Sequence, residues 1–86
     1  MSDAEMLSTV KAALNIVGSY HDSALAIYIK EVNEYLRAAG VPESLINSSA
    51  SAGTVSRGVA DLWNYGAGEG KLSPYFYERV IQMAGD

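Results

Sequence analysis

One stretch of this chain has residue types that suggest chemistry: Gly66-Ala67-Gly68-Glu69-Gly70-Lys71. Glycines followed by a lysine can cradle phosphate, because backbone amides and an ammonium then point at one anion. Spacing decides the matter. A phosphate loop of the form G-x-x-x-x-G-K-[ST] requires glycine at position 65, where Tyr65 stands. It requires a hydroxyl after Lys71 to hold magnesium, and Leu72 follows. It must also follow a strand, whereas the preceding segment has helical periodicity. The dinucleotide pattern G-x-G-x-x-G fits at Gly66 and Gly68 and fails at Lys71. The glycines are therefore read as a joint. Gly66, Gly68 and Gly70 allow a sharp turn and act as a hinge for the last helix.

The remaining candidates for chemistry are thin. His21 and Asp22 are adjacent at a helix start, and adjacent helical residues do not face each other. Glu31 and Glu34 share a helix face, but one carboxylate pair supplies too few ligands for a cation. Ser48, Ser49 and Ser51 come with no evident base and read as a solvated loop. There is no cysteine, which removes disulfides and thiolate zinc sites. The expectation is no catalytic residue, no metal and no cofactor: the protein is not an enzyme.

The elements that position these residues are helices. Ser2 with Glu5 makes a capping box ahead of a helix over about 3–17, whose apolar face is Met6, Leu7, Val10, Ala13, Leu14 and Val17. A second helix over 21–39, with Ser19 as its cap, carries the stripe Leu25, Tyr28, Ile29, Val32, Leu36 and Ala39. Lys30–Glu34 and Glu34–Arg37 pairs on its wet side add ~0.3 kcal/mol each. Gly40 stands at the left-handed C′ position, with Pro42 close behind. A connector follows, from which Leu45 and Ile46 can dip into the core. A third helix over 50–65 presents Ala52, Val55, Val59, Leu62 and Trp63, with Arg57 and Asp61 spaced to pair. Gly53 and Gly58 weaken that helix by up to ~1 kcal/mol each, and suggest that another backbone comes close. Ser73-Pro74 opens a fourth helix over 74–84, with Phe76, Val80, Ile81, Met83 and Ala84 on its apolar side. Strand signals are absent. The predicted fold is all-α, a single-domain bundle of three to four short helices spanning residues 1–86.

Ten acidic and six basic residues give a formal charge of −4. The bases are scattered, so no run of them can neutralise a row of phosphates. Tight nucleic-acid binding and attachment to an anionic membrane are not expected. No apolar run approaches the roughly 20 residues that span a bilayer, and the acidic N-terminus is unlike a secretory signal.

The unusual feature is aromatic. Five of the eight aromatic residues, Trp63, Tyr65, Tyr75, Phe76 and Tyr77, lie close to the glycine joint. Tyr75, Phe76 and Tyr77 cover about 200° of a helix and cannot all face one core. Trp and Tyr are enriched at interface centres. Trp63, Tyr65, Tyr75, Phe76, Tyr77 and Arg79 are therefore taken as the interface, with the bundle core as the alternative place for Trp63 and Phe76. A chain this short also has little core of its own, and identical neighbours are expected to complete its packing.

Two segments carry a resemblance: "LSTVKAALNIVGSYHDSALAIYIKEVNEYLRAAGV" and "GVADLWNYGAGEGKLSPYFYERVIQMA". Together they resemble the small head–tail connector proteins of tailed bacteriophages, also called adaptor or DNA-packaging proteins. The most specific parts are Asp61-Leu62-Trp63-Asn64-Tyr65-Gly66 and Ser73-Pro74 followed by Arg79-Val80-Ile81-Gln82. The resemblance implies an α-helical structural protein without catalytic activity. It implies a homo-oligomeric ring of about twelve copies, a closed cyclic assembly, at the portal vertex of the head. The ring joins the portal to the head-closure (stopper) protein and the tail, and DNA passes through it without sequence-specific binding. The implied location is the neck of the virion, after synthesis in the bacterial cytoplasm. The alternative from a different class is a small helical DNA-binding regulator, which the scattered bases and the low pI disfavour.

Overall fold

The computed structural model describes residues 1–69 and 74–85, with residues 65–69 and 75 described by their backbone alone. Four helices follow in order: α1 (Asp3–Leu14), α2 (Asp22–Ala38), α3 (Ala52–Glu69) and α4 (Pro74–Gly85). No strand occurs among the described residues, so the all-α prediction holds.

Local chemistry sets the helix ends. Ser2 Oγ accepts from the Glu5 amide at 3.1 Å, and the Glu5 carboxylate accepts from the Ser2 amide at 2.9 Å. That capping box holds the Glu5 carboxyl below its usual range, chiefly through these hydrogen bonds with Ser2. The other end of α1 differs from expectation. The helix stops at Leu14 rather than near Val17, because Asn15 enters the left-handed region at φ 59°. The Asn15 amide donates to Ala12 and the Ile16 amide to Lys11, which is the doubly bonded C-terminal motif of a helix. Asparagine tolerates this conformation better than other side-chain-bearing residues. Val17 leaves the predicted face altogether and is 89% exposed.

The end of α2 follows the prediction. Gly40 has φ +95°, its amide donates to Arg37, and the Val41 amide donates to Leu36. Val41 is then driven into the core. The start of α2 does not follow it. His21, not Ser19, is the N-cap, and its side chain makes no capping hydrogen bond. The Asp22 carboxylate in the first turn instead meets Lys11 Nζ at 2.8 Å, tying α2 to α1.

The connector is more ordered than a solvated loop. Ser51 is wholly buried. Its hydroxyl donates to the Ser48 carbonyl at 3.1 Å and accepts from the Ser48 amide at 3.2 Å. Asn47, at φ 55°, donates from Nδ2 to the Met1 carbonyl at 2.8 Å and so fastens the connector to the start of α1. Ile46 is buried and Leu45 half-buried, as the sequence suggests. Arg37 bridges α2 to this segment, with Glu34 and Glu43 each 2.6 Å away. The hydrogen bond to Arg37 lowers the Glu43 carboxyl. Both pairs are exposed, so solvent screens them and they add little to stability.

α3 is the organising element, and α1, α2 and α4 all pack on it. Its small residues make that possible. A Cβ built at Gly58 would lie 2.7 Å from the Phe76 ring and 3.0 Å from a Val32 methyl. The close approach is by side chains of α4 and α2, not by backbone. Gly53 meets nothing within 4 Å. The two glycines therefore predict opposite signs. Gly53→Ala should stabilise by about 0.5–1 kcal/mol through helix propensity. Gly58→Ala should destabilise by a net ~1–3 kcal/mol, because the buried ring must move. Urea denaturation of the two variants checks this.

The core fills within one copy. Met6, Val10, Leu25, Val32, Leu36, Val55, Val59 and Phe76 are at most 1% exposed. The radius of gyration is 12.0 Å, matching the ~12 Å of a compact chain of this length. The expectation that neighbours must complete the core is corrected here. Small side chains on α3 shrink the space to be filled, so few large ones suffice. Association would join folded subunits.

Candidate interaction surface

The aromatic residues singled out from the sequence divide into distinct environments. Phe76 is a core residue at 0% exposure, so it offers no surface to a partner. The reason is the Gly58 notch, which seats its ring. Trp63 is half-buried at the other end of α2, edge-on to His21 at 4.8 Å and to Tyr28 at 6.2 Å between ring centres. Arg79 is half-buried and donates from Nη1 to Gln82 Oε1 at 3.0 Å. Tyr77 is the most exposed of the set's described side chains, at 41%. The side chains of Tyr65 and Tyr75 lie outside the described residues.

The glycine joint is shorter than predicted from this side. α3 continues through Gly66 and Gly68 to Glu69, so the turn does not begin at Gly66. Gly70, the third predicted hinge residue, lies outside the described residues, as does Lys71. Intrahelical hydrogen bonding outweighs the propensity cost of two glycines near a helix end, about 1 kcal/mol each.

Tyr77 belongs to a surface the sequence reading did not assemble. Its ring centre is 5.9 Å from that of Tyr35 on α2, and Tyr35 is 5.5 Å from Phe76. The Tyr35 phenol is raised above its ordinary value, by loss of solvent first and then by the Tyr77 hydroxyl beside it. Tyr35, Ala39, Tyr77, Val80, Ile81, Ala84 and Gly85 line a groove of about 380 Å³ between α2 and α4, with no charged side chain among the described residues of its lining. Ile81, predicted on the apolar side of α4, is 70% exposed there. A signal for Tyr35 was present: it lies three residues after Val32 and four before Ala39, at the edge of the predicted stripe. The sequence could not say how far round α2 the covering would reach.

Two more apolar features face water. Ile27 is 65% exposed on the outer side of α2. The α1–α2 loop, residues 15–21, carries Val17 at 89% and Tyr20 at 92% exposure. A different groove of about 530 Å³ lies between α1 and α2. It is lined by Leu7, Ala26 and Ile29, but also by Asp3, Lys30, Glu34 and Arg37. Those charges keep it hydrated.

These surfaces offer apolar area and phenol hydroxyls, which suit packing against another macromolecule. Among the described residues, no group of three or more His, Cys, Asp or Glu is placed to hold a metal ion. No helix among them is long and apolar enough to cross a membrane. No protein-family model matches the chain, and no curated protein and no solved structure matches it.

Proposed function

We propose that this protein is a structural subunit of the head–tail connector of a tailed bacteriophage. In this reading, copies form a ring on the portal and present the site where the stopper and tail attach. The support is of two kinds. The sequence resembles such connectors along most of its length. The chain also leaves an uncharged surface of Tyr35, Tyr77 and Ile81 in water although its own core is full. That surface carries the reading, because apolar side chains grouped around a groove favour a partner. The charge is compatible. Twelve copies at −4 each would carry about −48, which disfavours adhesion of DNA in transit.

Mixing the purified protein with the portal protein of the same virus tests the proposal. The expected outcome is a ring on the portal, seen by electron microscopy and as a shift in particle size. Ile81→Asp and Tyr77→Ala should reduce the complex far more than they reduce stability. For the exposed Ile81 the stability change should stay within about 0.5 kcal/mol. Failure of the unmodified chain to bind portal would overturn the reading. So would tight duplex binding by the monomer in a low-salt gel shift, which would favour a DNA-binding regulator.

A further inference from the structure

We infer that Tyr35 and Tyr77 form an oxidative modification site, where a peroxidase with hydrogen peroxide joins the two rings into dityrosine and ties α2 covalently to α4. The inference rests on how α2 and α4 pack and is independent of the connector reading.

The fold brings the two phenols together from opposite halves of the chain. Val32 and Leu36 on α2 are buried, and Tyr35 lies at the edge of that face. On α4 the Phe76 ring is seated against Gly58, which fixes its neighbour Tyr77 alongside Tyr35. The two tyrosine ring centres are 5.9 Å apart, with planes inclined by 59°. That is within the ~4.5–7 Å of aromatic rings in contact. The Tyr77 hydroxyl lies beside the Tyr35 phenol. Dityrosine forms between the ring carbons next to those bearing the hydroxyls, so the atoms that must bond are on the parts of the rings that meet. Tyr35 is 36% and Tyr77 41% exposed, which leaves both open to a reagent and free to turn. Buried Phe76, 5.5 Å from Tyr35, blocks the way into the core.

The rest of the chain favours this pair. Among the described residues, no other two tyrosines have their rings in contact: Tyr20 meets His21, and Tyr28 meets Trp63. The chain has no cysteine, so no thiol intercepts a tyrosyl radical. Two groups held side by side on one chain also react far faster than the same groups on separate molecules.

The chemistry balances. Each phenol gives up one electron and one proton. The two phenoxyl radicals pair at carbons ortho to oxygen, and a carbon–carbon bond forms. The hydrogens on those carbons leave as protons and return to the oxygens, which restores both aromatic rings and both hydroxyls. Hydrogen peroxide accepts the two electrons and the two protons and ends as two waters. The bond closes a loop of about 40 residues, a cross-link of the kind that restricts the unfolded chain. It should raise the melting temperature by roughly 10 °C.

The test treats the dilute full-length protein with peroxidase and hydrogen peroxide. The expected product keeps the size of a single chain, is lighter by two hydrogens and has dityrosine fluorescence. Proteolysis should yield the peptide containing Tyr35 joined to that containing Tyr77. Tyr35→Phe and Tyr77→Phe keep the rings, and melting checks that both variants fold. Each should lose this product at least tenfold, whereas Tyr20→Phe should retain it. Dityrosine found only in cross-linked dimers, a link mapped to other tyrosines, an unchanged yield in either Tyr35→Phe or Tyr77→Phe, or no dityrosine at all would overturn the inference.

Discussion

Replacing Val32 by aspartate should remove about 3–5 kcal/mol of stability and lower the melting temperature sharply. Val32 is 1% exposed and lies on the α2 face that meets α3, with a methyl against Gly58. A carboxylate there would be ionised without a partner, or would have to take up a proton to stay inside. An uncompensated buried charge costs about 3–5 kcal/mol. A chain of this length has about 4–13 kcal/mol in total at the usual 0.05–0.15 kcal/mol per residue. The control is Ile27→Asp on the same helix. Ile27 is 65% exposed, so the same change of charge should cost less than about 1 kcal/mol. Circular dichroism and thermal melting of the two variants measure the facing of α2. A folded Val32→Asp with normal melting would show that α2 does not pack as described.

Phe76→Ala should cost about 3–5 kcal/mol, because it removes a fully buried ring and leaves a void against α3. The informative experiment combines it with Gly58→Ala. In the native protein the alanine methyl meets the ring at 2.7 Å, and the clash outweighs the gain in helix propensity. With the ring gone, the Val32 methyl at 3.0 Å is the tightest remaining contact, and it need yield only a few tenths of an ångström. Gly58→Ala should then be neutral or stabilising in the Phe76→Ala background. The coupling, read from urea denaturation, should be on the order of 2 kcal/mol. Should Phe76→Ala be too unstable to measure, Phe76→Leu replaces it, with smaller coupling of the same sign. Strictly additive effects would mean that Phe76 does not sit against Gly58.

Several features were legible from residue order alone, since their causes are local. The Ser2–Glu5 box, Gly40 at the end of α2 and Pro74 at the start of α4 depend on neighbours a few residues away. So does the apolar repeat of Leu25, Ile29, Val32 and Leu36. These were sufficient for an all-α fold with four segments near their observed places. The premature end of α1 was also local, but Asn15 in a helical stretch is a weaker stop signal than glycine.

Tertiary structure alone decided the rest. Whether Phe76 was core or interface depended on Gly58, a residue 18 positions earlier in the chain, leaving a notch where its ring fits. Which edge of the α2 stripe stayed in water depended on how α3 and α4 lay across it, and so Tyr35 joined Tyr77 and Ile81 in one groove. Val17 moved from a predicted buried face to a loop tip when Asn15 turned the chain. Periodicity shows that a helix has an apolar side. It cannot show how much of that side its neighbours cover, because coverage depends on the volumes of side chains far apart in the sequence. The candidate interface lies in the part left uncovered.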